Sequence, residues 1–387
     1  MVATVHNDLI VYKGSNFFRQ RLLLATLSGR TIKIEEIRSS HDDPGLREYE
    51  VSLIRLLDKV TNGTRVELSE TGTSVYYQPG ILVGGHITHS CSTQRGIGYY
   101  LEILLALGPF CKEPLNAVLQ GVTHSDLDVS VDKIKTSALP VLLKFILVDD
   151  GLELKVVRRG APPLGGGEVV FKCPVRRSLR PLQWTQWGLV KRIRGVVYAL
   201  RVSPTMANRV VDAAKGVMLN FIPDVYINTD QCRGSNAGKS PGFGISLVAE
   251  TNEKTFYCAE AVSITYNHRS LHYKDPRVVA IRKHRLRQGT PLLSSKNAYV
   301  LTFTVSDTEH YPTVSLRQTQ TVIGPLSDYT ITFLQHLKEF FGVMFKLEVQ
   351  HSGSAGEESD DEEVAPASKV KMTCVGIGYV NISRRTL

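Results

Sequence analysis

The chain has 387 residues, 42% of them apolar and 21% charged, which excludes a wholly disordered chain and leaves room for two to three ordinary domains or one large one with an insertion. Its net charge of +9 favours a polyanionic partner wherever the basic residues cluster. No apolar run is long enough to cross a bilayer, and the charged start MVATVHNDLIVYKGSNF does not read as a signal peptide, so no membrane association is expected.

In chain order, DLIVYKG predicts a short strand. NFFRQRLLLATLSG is amphipathic, with Phe17, Leu24 and Leu27 on one helical face and Gly29 as its stop. RTIKIEEI alternates like a half-buried strand. A helix is expected after Pro44, ending before Asn62-Gly63, and then two short strands about a turn in TRVELSETGTSVYYQPG. The order β-α-β-α-β-β partly returns in GIGYYLEILLALGPFC (helix), LNAVLQGVTH (strand), SVDKIKTSALPVLLKF (helix), LELKVVRRG and GGEVVFKCP (strands). Residues 1–183 therefore read as two copies of one α+β unit. After a break at SLRPLQWTQWGLVK comes a compact second unit. It has a strand in IRGVVYALRV, a helix N-capped by Ser203, a strand in DVYINTDQ, and a hairpin from FGISLVAET to KTFYCAEAV.

The segment 264–322 has no sustained period and carries nine Lys and Arg against three Asp and Glu, +6 of the chain's +9. A helix and strand follow in YTITFLQHLKEFFGVMFKLEVQ. The acidic stretch 351–368 has too little apolar surface to order itself and is expected to be a disordered loop. KVKMTCVGIGYVNIS predicts the last strand.

Candidate chemistry is sparse. Cys91, Cys111, Cys173, Cys232, Cys258 and Cys374 form no C-x-x-C pair and point to free thiols in the cytosol or nucleus. No catalytic or metal site is expected, since no H-E-x-x-H, G-x-S-x-G or complete P-loop occurs. Gly238-Lys239-Ser240 only imitates the end of a P-loop, though Lys239 can reach a phosphate. In RRGAPPLGGGEVVF, the triplet Gly165, Gly166 and Gly167 suits a tight turn between strands. Its bare backbone also lets a phosphate approach beside Arg158 and Arg159. If the loops of Arg19, Arg21, Arg38, Arg158 and Arg159 converge, they make an anion site suited to RNA phosphates.

Several long stretches then agree in order with one family. NFFRQRLLLATLSGRTIKIEEIR, DDPGLREYEVSLIRLLDKVTNGT, ETGTSVYYQPG, RRGAPPLGGGEVVF, RGVVYALRVSP, GKSPGFGISLVAE and MTCVGIGYVNIS resemble the RNA 3′-terminal phosphate cyclase family. They are most similar to its cyclase-like, ribosome-biogenesis branch. The resemblance implies an α+β fold: three repeated units form a large domain, with a smaller α/β domain inserted before the third repeat. The expected boundaries are 1–183 for repeats one and two, 184–280 for the insert and 281–387 for the third repeat. The family pattern stops near Ser263 and returns near Gly324, as a misread reading frame, an alternative exon or a basic arm would produce.

The resemblance also implies what is missing. Cyclases open with a Glu-Gly-Gly-Gly-Gln run; aligned on Arg19, the glutamate falls at Tyr12 and the glutamine at Asn16, and only Gly14 and Arg19 match. Tyr49 and Glu50 replace a Gln-His pair, and His310 lacks the helical context of the adenylated histidine. The implied function is a nucleolar, non-cyclase assembly factor of the small-subunit processome, needing no cofactor. It would act in 40S biogenesis and 18S pre-rRNA processing by binding pre-rRNA and a ribosome-assembly GTPase. The alternative is an RNA-processing enzyme, a pre-rRNA endonuclease or a residual cyclase.

Overall fold

A computed structural model describes residues 9–146, 151–186, 188–263, 318–324, 326–350, 369–376 and 381. The first unit runs β1 (Ile10–Lys13), α1 (Phe18–Ser28), β2 (Ile32–Glu35), α2 (Glu48–Val60), β3 (Thr61–Asn62), β4 (Arg65–Leu68), β5 (Val75–Gln78) and β6 (Ile81–Leu82). Helix α1 stops at Gly29, whose φ of 71° suits a residue without Cβ. Helix α2 starts where the Glu50 carboxylate accepts the Arg47 backbone N–H at 2.8 Å, one orphan donor of the first turn satisfied. Its sheet is ordered β1-β2-β5-β4, parallel in the first pair and antiparallel in the other two.

The second unit runs β7 (Gly84–Ser90), α3 (Ile97–Leu107), β8 (Glu113–Gly121), α4 (Val131–Lys133), a π-turn over Ile134–Ala138, α5 (Leu139–Ile146), β9 (Glu153–Arg158) and β10 (Gly167–Cys173). Its order β7-β8-β10-β9 repeats the first sheet's order and strand senses. Every residue of α3 is buried, so the helix is apolar nearly all round.

Strand β11 (Gln183–Trp184) begins a third sheet, but the chain leaves it at once. It builds β12 (Val190–Leu200), α6 (Pro204–Met218), β13 (Val225–Cys232), β14 (Gly242–Thr251) and β15 (Phe256–Val262). These strands form a sheet of a different order, β13-β12-β14-β15, with α6 linking the parallel neighbours β12 and β13. Ser203 caps α6, its side chain accepting the Thr205 N–H. The third sheet is completed by β16 (Gln318–Ile323), α7 (Asp328–Phe341), β17 (Phe345–Gln350) and β18 (Lys369–Val375). Its order β11-β16-β18-β17 and its strand senses are those of the first two.

The main core joins Leu22 and Leu24 of α1, Leu57 of α2, Leu104 of α3, Phe145 of α5 and Phe333 of α7. The fourth sheet packs Val197, Ile227 and Leu247 against Ala207 and Val211 of α6 in a core of its own. A small cluster of Ala161, Tyr198, Leu200 and Ala237 lies between the two.

Among the strands that differ from the sequence expectation are β7 and β16. No strand is expected over 84–90, because Gly84 and Gly85, at φ 80° and 77°, and the exposed His86, Thr88 and Ser90 hide an alternation whose inward members are Ile87 and His89. β16 falls inside the stretch read as aperiodic: its buried face includes Thr319 and Thr321, so polarity masks the period. The rest of that stretch, His310 and the acidic 351–368 lie outside the described residues.

Candidate nucleic-acid interface: two hollows

The candidate cations do not converge on one site. Arg19 and Arg38 line one hollow of about 440 Å3; Arg158, Gly166, Gly167 and Lys239 line another of about 430 Å3. Arg21, Arg159 and Gly165 line neither of the two.

The first hollow is built by the start of α1, the Arg38 turn, α2 and α3, and its walls include Phe17, Tyr49, Tyr99 and Tyr329. Each of its guanidinium groups has a carboxylate. Arg19 pairs with Glu102, donates to the Tyr99 carbonyl at 3.1 Å and lies over the Tyr99 ring. Arg38 grips both oxygens of Glu50 at 2.8 and 2.7 Å. Arg95 holds Asp128, its shortest contact 2.5 Å, and stacks between Tyr49 and Tyr99. Three cations face three anions, so this hollow has no charge excess of its own.

Beside it stands Tyr12, the residue that the resemblance set against the cyclases' glutamate. Its hydroxyl donates to Glu339 at 2.5 Å, and burial, with the hydrogen bond to Glu339, holds the phenol protonated. Arg21 lies 4.3 Å over the Tyr12 ring and donates to the Gly14 carbonyl at 3.0 Å, so it is a packing residue rather than a wall of the hollow. His336 of α7 meets Tyr12 and Phe17 edge-on. Burial pushes it down to about 4, and its Nδ1 has no hydrogen-bond partner among the described residues.

The second hollow lies where the glycine loop between β9 and β10 meets the loop after β13. Its lining carries Arg158, Arg201 and Lys239 and, among the described residues, no carboxylate side chain. Arg158 shares its charge with Glu168 at 3.0 Å. The Arg201 Nε donates to the carbonyls of Ala237 and Gly238 at 3.1 and 2.8 Å. The glycine triplet turns at φ 64° for Gly165 and 85° for Gly166, conformations that disfavour any side chain. A Cβ on Gly166 would also lie 3.0 Å from Lys239 Cγ.

The two loops are laced together. Gly238 N–H donates to Arg159 O and Lys239 N–H to Gly165 O, both at 2.8 Å, and Leu164 N–H donates to Ser240 Oγ at 3.1 Å. Arg159 itself is turned inward: its guanidinium holds Asp132 at 2.7 and 3.1 Å and Asp230 at 2.6 Å. His124 Nε2 is 2.8 Å from the same Asp132. Burial would raise the Asp132 carboxyl, but His124 and Arg159 hold it below the ordinary range. Arg159 is thereby committed to the seam between units and is not free for a phosphate.

Arg95, Arg201, Asp132 and Asp230 escape the sequence reading. Arg201 does lie within RGVVYALRVSP, a stretch singled out by resemblance; the others carry no local signal, since their partners are distant in sequence. Among the described residues no cluster of His, Cys, Asp or Glu fits a metal ion, and no helix is long and apolar enough to cross a membrane.

The model of the RNA 3′-terminal phosphate cyclase family matches residues 10–347. The chain is 52% identical over 386 residues, 98% of each chain, to a probable RNA 3′-terminal phosphate cyclase-like protein of Drosophila melanogaster. It is 50% identical over 376 residues to the RNA 3′-terminal phosphate cyclase-like protein of Homo sapiens, covering 96% of this chain and 97% of that one. It is 40% identical over 381 residues, 97% of each chain, to the rRNA processing protein rcl1 of Schizosaccharomyces pombe. These alignments leave only a few per cent of any chain unmatched, so 264–322 is not an insertion relative to them. The chain belongs to the RNA 3′-terminal phosphate cyclase family.

Proposed function

We propose that the chain is an rRNA-processing factor that binds pre-rRNA without cyclising RNA ends. The observation that carries the reading is the end-to-end match to a protein named for rRNA processing, together with Tyr12 in the family's glutamate position. Tyr12 is tied to Glu339 and supplies no carboxylate to a metal or a phosphate. ATP-driven adenylate transfer needs a nucleophile and a phosphate-neutralising site together.

The finer reading is a nucleolar role in 40S assembly and 18S maturation, with a ribosome-assembly GTPase as partner. Residues 1–183 and 281–387 form the large domain and 184–280 the insert. Arg19, Arg38, Arg158 and Lys239 are the proposed RNA contacts that line the hollows.

The test has two halves. Labelled ATP leaves no covalent adduct on the purified protein, and RNA bearing a 3′-phosphate keeps it. Depletion of the protein in cells makes 18S precursors accumulate. An adduct or a cyclised end overturns the non-cyclase half, and normal 18S maturation after depletion overturns the other. A defined cut in a pre-rRNA fragment with magnesium would make the protein a nuclease.

A further inference from the structure

From the second hollow we infer a phosphate-binding site, built across two structural units, that grips the RNA backbone without reading bases. The inference rests on the RNA-binding reading above and names its site.

Charge singles out this hollow. Both hollows present three cations, but in the first each is matched by Glu102, Glu50 or Asp128. In the second only Arg158 is shared, with Glu168. Arg201 uses its Nε on two carbonyls, which aims the guanidinium, and its terminal N–H groups have no partner among the described residues. The Lys239 ammonium likewise has none, and its side chain is exposed. Two uncompensated donors beside a shared third are the complement of a phosphodiester or a free phosphate.

Shape agrees. Glycines strip the wall: Gly121, Gly166, Gly167, Gly234 and Gly238 contribute to the lining, so phosphate oxygens meet backbone and the exposed hydroxyl of Ser235 rather than bulk. Among the described residues no aromatic ring lines this hollow, whereas five line the first. Base stacking needs such rings, so the second hollow suits backbone contact, which positions RNA without carrying sequence information.

The seam makes the site a built one. Lys239 is held by its own N–H on Gly165 O, and Arg201 by the carbonyls of the same loop. The glycine loop and the GKS loop, each too weak a signal alone, form one site together.

The test uses the full chain and fluorescent single-stranded oligonucleotides, one all-uridine and one of mixed sequence, titrated by anisotropy across salt concentrations. The two should bind alike. Each lost phosphate contact removes about 0.7 from the slope of log affinity against log salt. R201Q/K239Q should therefore flatten the slope by about 1.4, and Lys239→Gln alone, whose side chain holds nothing in place, by about 0.7. Inorganic pyrophosphate should raise the unfolding temperature of the unmodified protein and not that of the double variant.

RNA binding with an unchanged slope in both variants overturns the inference and leaves the RNA-binding reading standing. Strong preference for one oligonucleotide overturns the backbone-only claim. Pyrophosphate stabilisation lost in the double variant, with no RNA binding, keeps the phosphate site and overturns the RNA reading. Binding of neither probe overturns both.

Discussion

Arg158 and Arg159 are sequence neighbours with opposite surroundings: their side chains are 40% and 5% exposed. As successive residues entering the glycine loop they point to opposite sides, one to the hollow and one into the seam. The Asp132–Arg159–Asp230 chain, buried at Asp132 and Arg159 and half-exposed at Asp230, keeps its charge because each formal charge is met within hydrogen-bond distance. Arg159→Met leaves Asp132 and Asp230 without their cation and is expected to cost about 3–5 kcal/mol in urea unfolding. Arg159→Lys should rescue little, since one ammonium cannot reproduce the fork. A loss below about 1 kcal/mol for Arg159→Met would contradict the pairing.

The histidines set a pH dependence. His89 and His336 are both pushed down to about 4 by burial, from an ordinary value near 6.5. Between those values the unfolded chain takes up protons that the folded chain does not. Stability is therefore fully present above about pH 6.5 and falls as pH drops toward 4, by on the order of 2 kcal/mol for each histidine. His336→Leu removes a buried Nδ1 that has no partner among the described residues, so it should cost little at pH 7 and flatten the acid decline. Equal declines in variant and parent would remove His336 from the account.

At the scale of elements, the helices are the legible part. Apolar spacing in α6 and α7, with Ser203 as a cap, is a local property that the fold preserves; Gly29 stops α1 as expected, but α1 is buried nearly all round, Gln20 and Arg21 included, rather than on one face. Strands β7, β11 and β16 are not legible, because two begin or face inward with glycine or threonine and one is two residues long. The seam is the least visible feature, since Asp230 and Arg159 lie far apart in sequence and meet only after two loops dock. Gly238 is its tightest point: a Cβ there would sit 2.5 Å from the Gly165 carbonyl and 2.7 Å from Arg159 O. Gly238→Ala should cost about 1–3 kcal/mol, and limited proteolysis should then cut the 233–241 loop faster. An unchanged cutting rate would show that the loops do not need this close approach.

At the scale of the molecule, three sheets share one strand order and a fourth, different sheet is threaded between strands of the third. The fourth sheet has its own core and touches the second unit through the seam, beside which Arg201 and Lys239 stand without a carboxylate partner among the described residues. Of the candidate site, the glycine triplet and Lys239 are legible as types: both suit a phosphate. Their meeting is not legible, because the hollow draws together Ser90, Gln120, Arg158, Gly166, Arg201 and Lys239, which are far apart in sequence. Nor is the neutrality of the first hollow, since Arg19 and Arg38 look free until Glu102 and Glu50 fold against them. The most direct measurement is ultraviolet crosslinking of the full chain to a pre-rRNA fragment, with the crosslinked peptides mapped by mass spectrometry. The account predicts RNA adducts on peptides spanning 158–167 and 234–240. Adducts found only on peptides remote from both loops would contradict it.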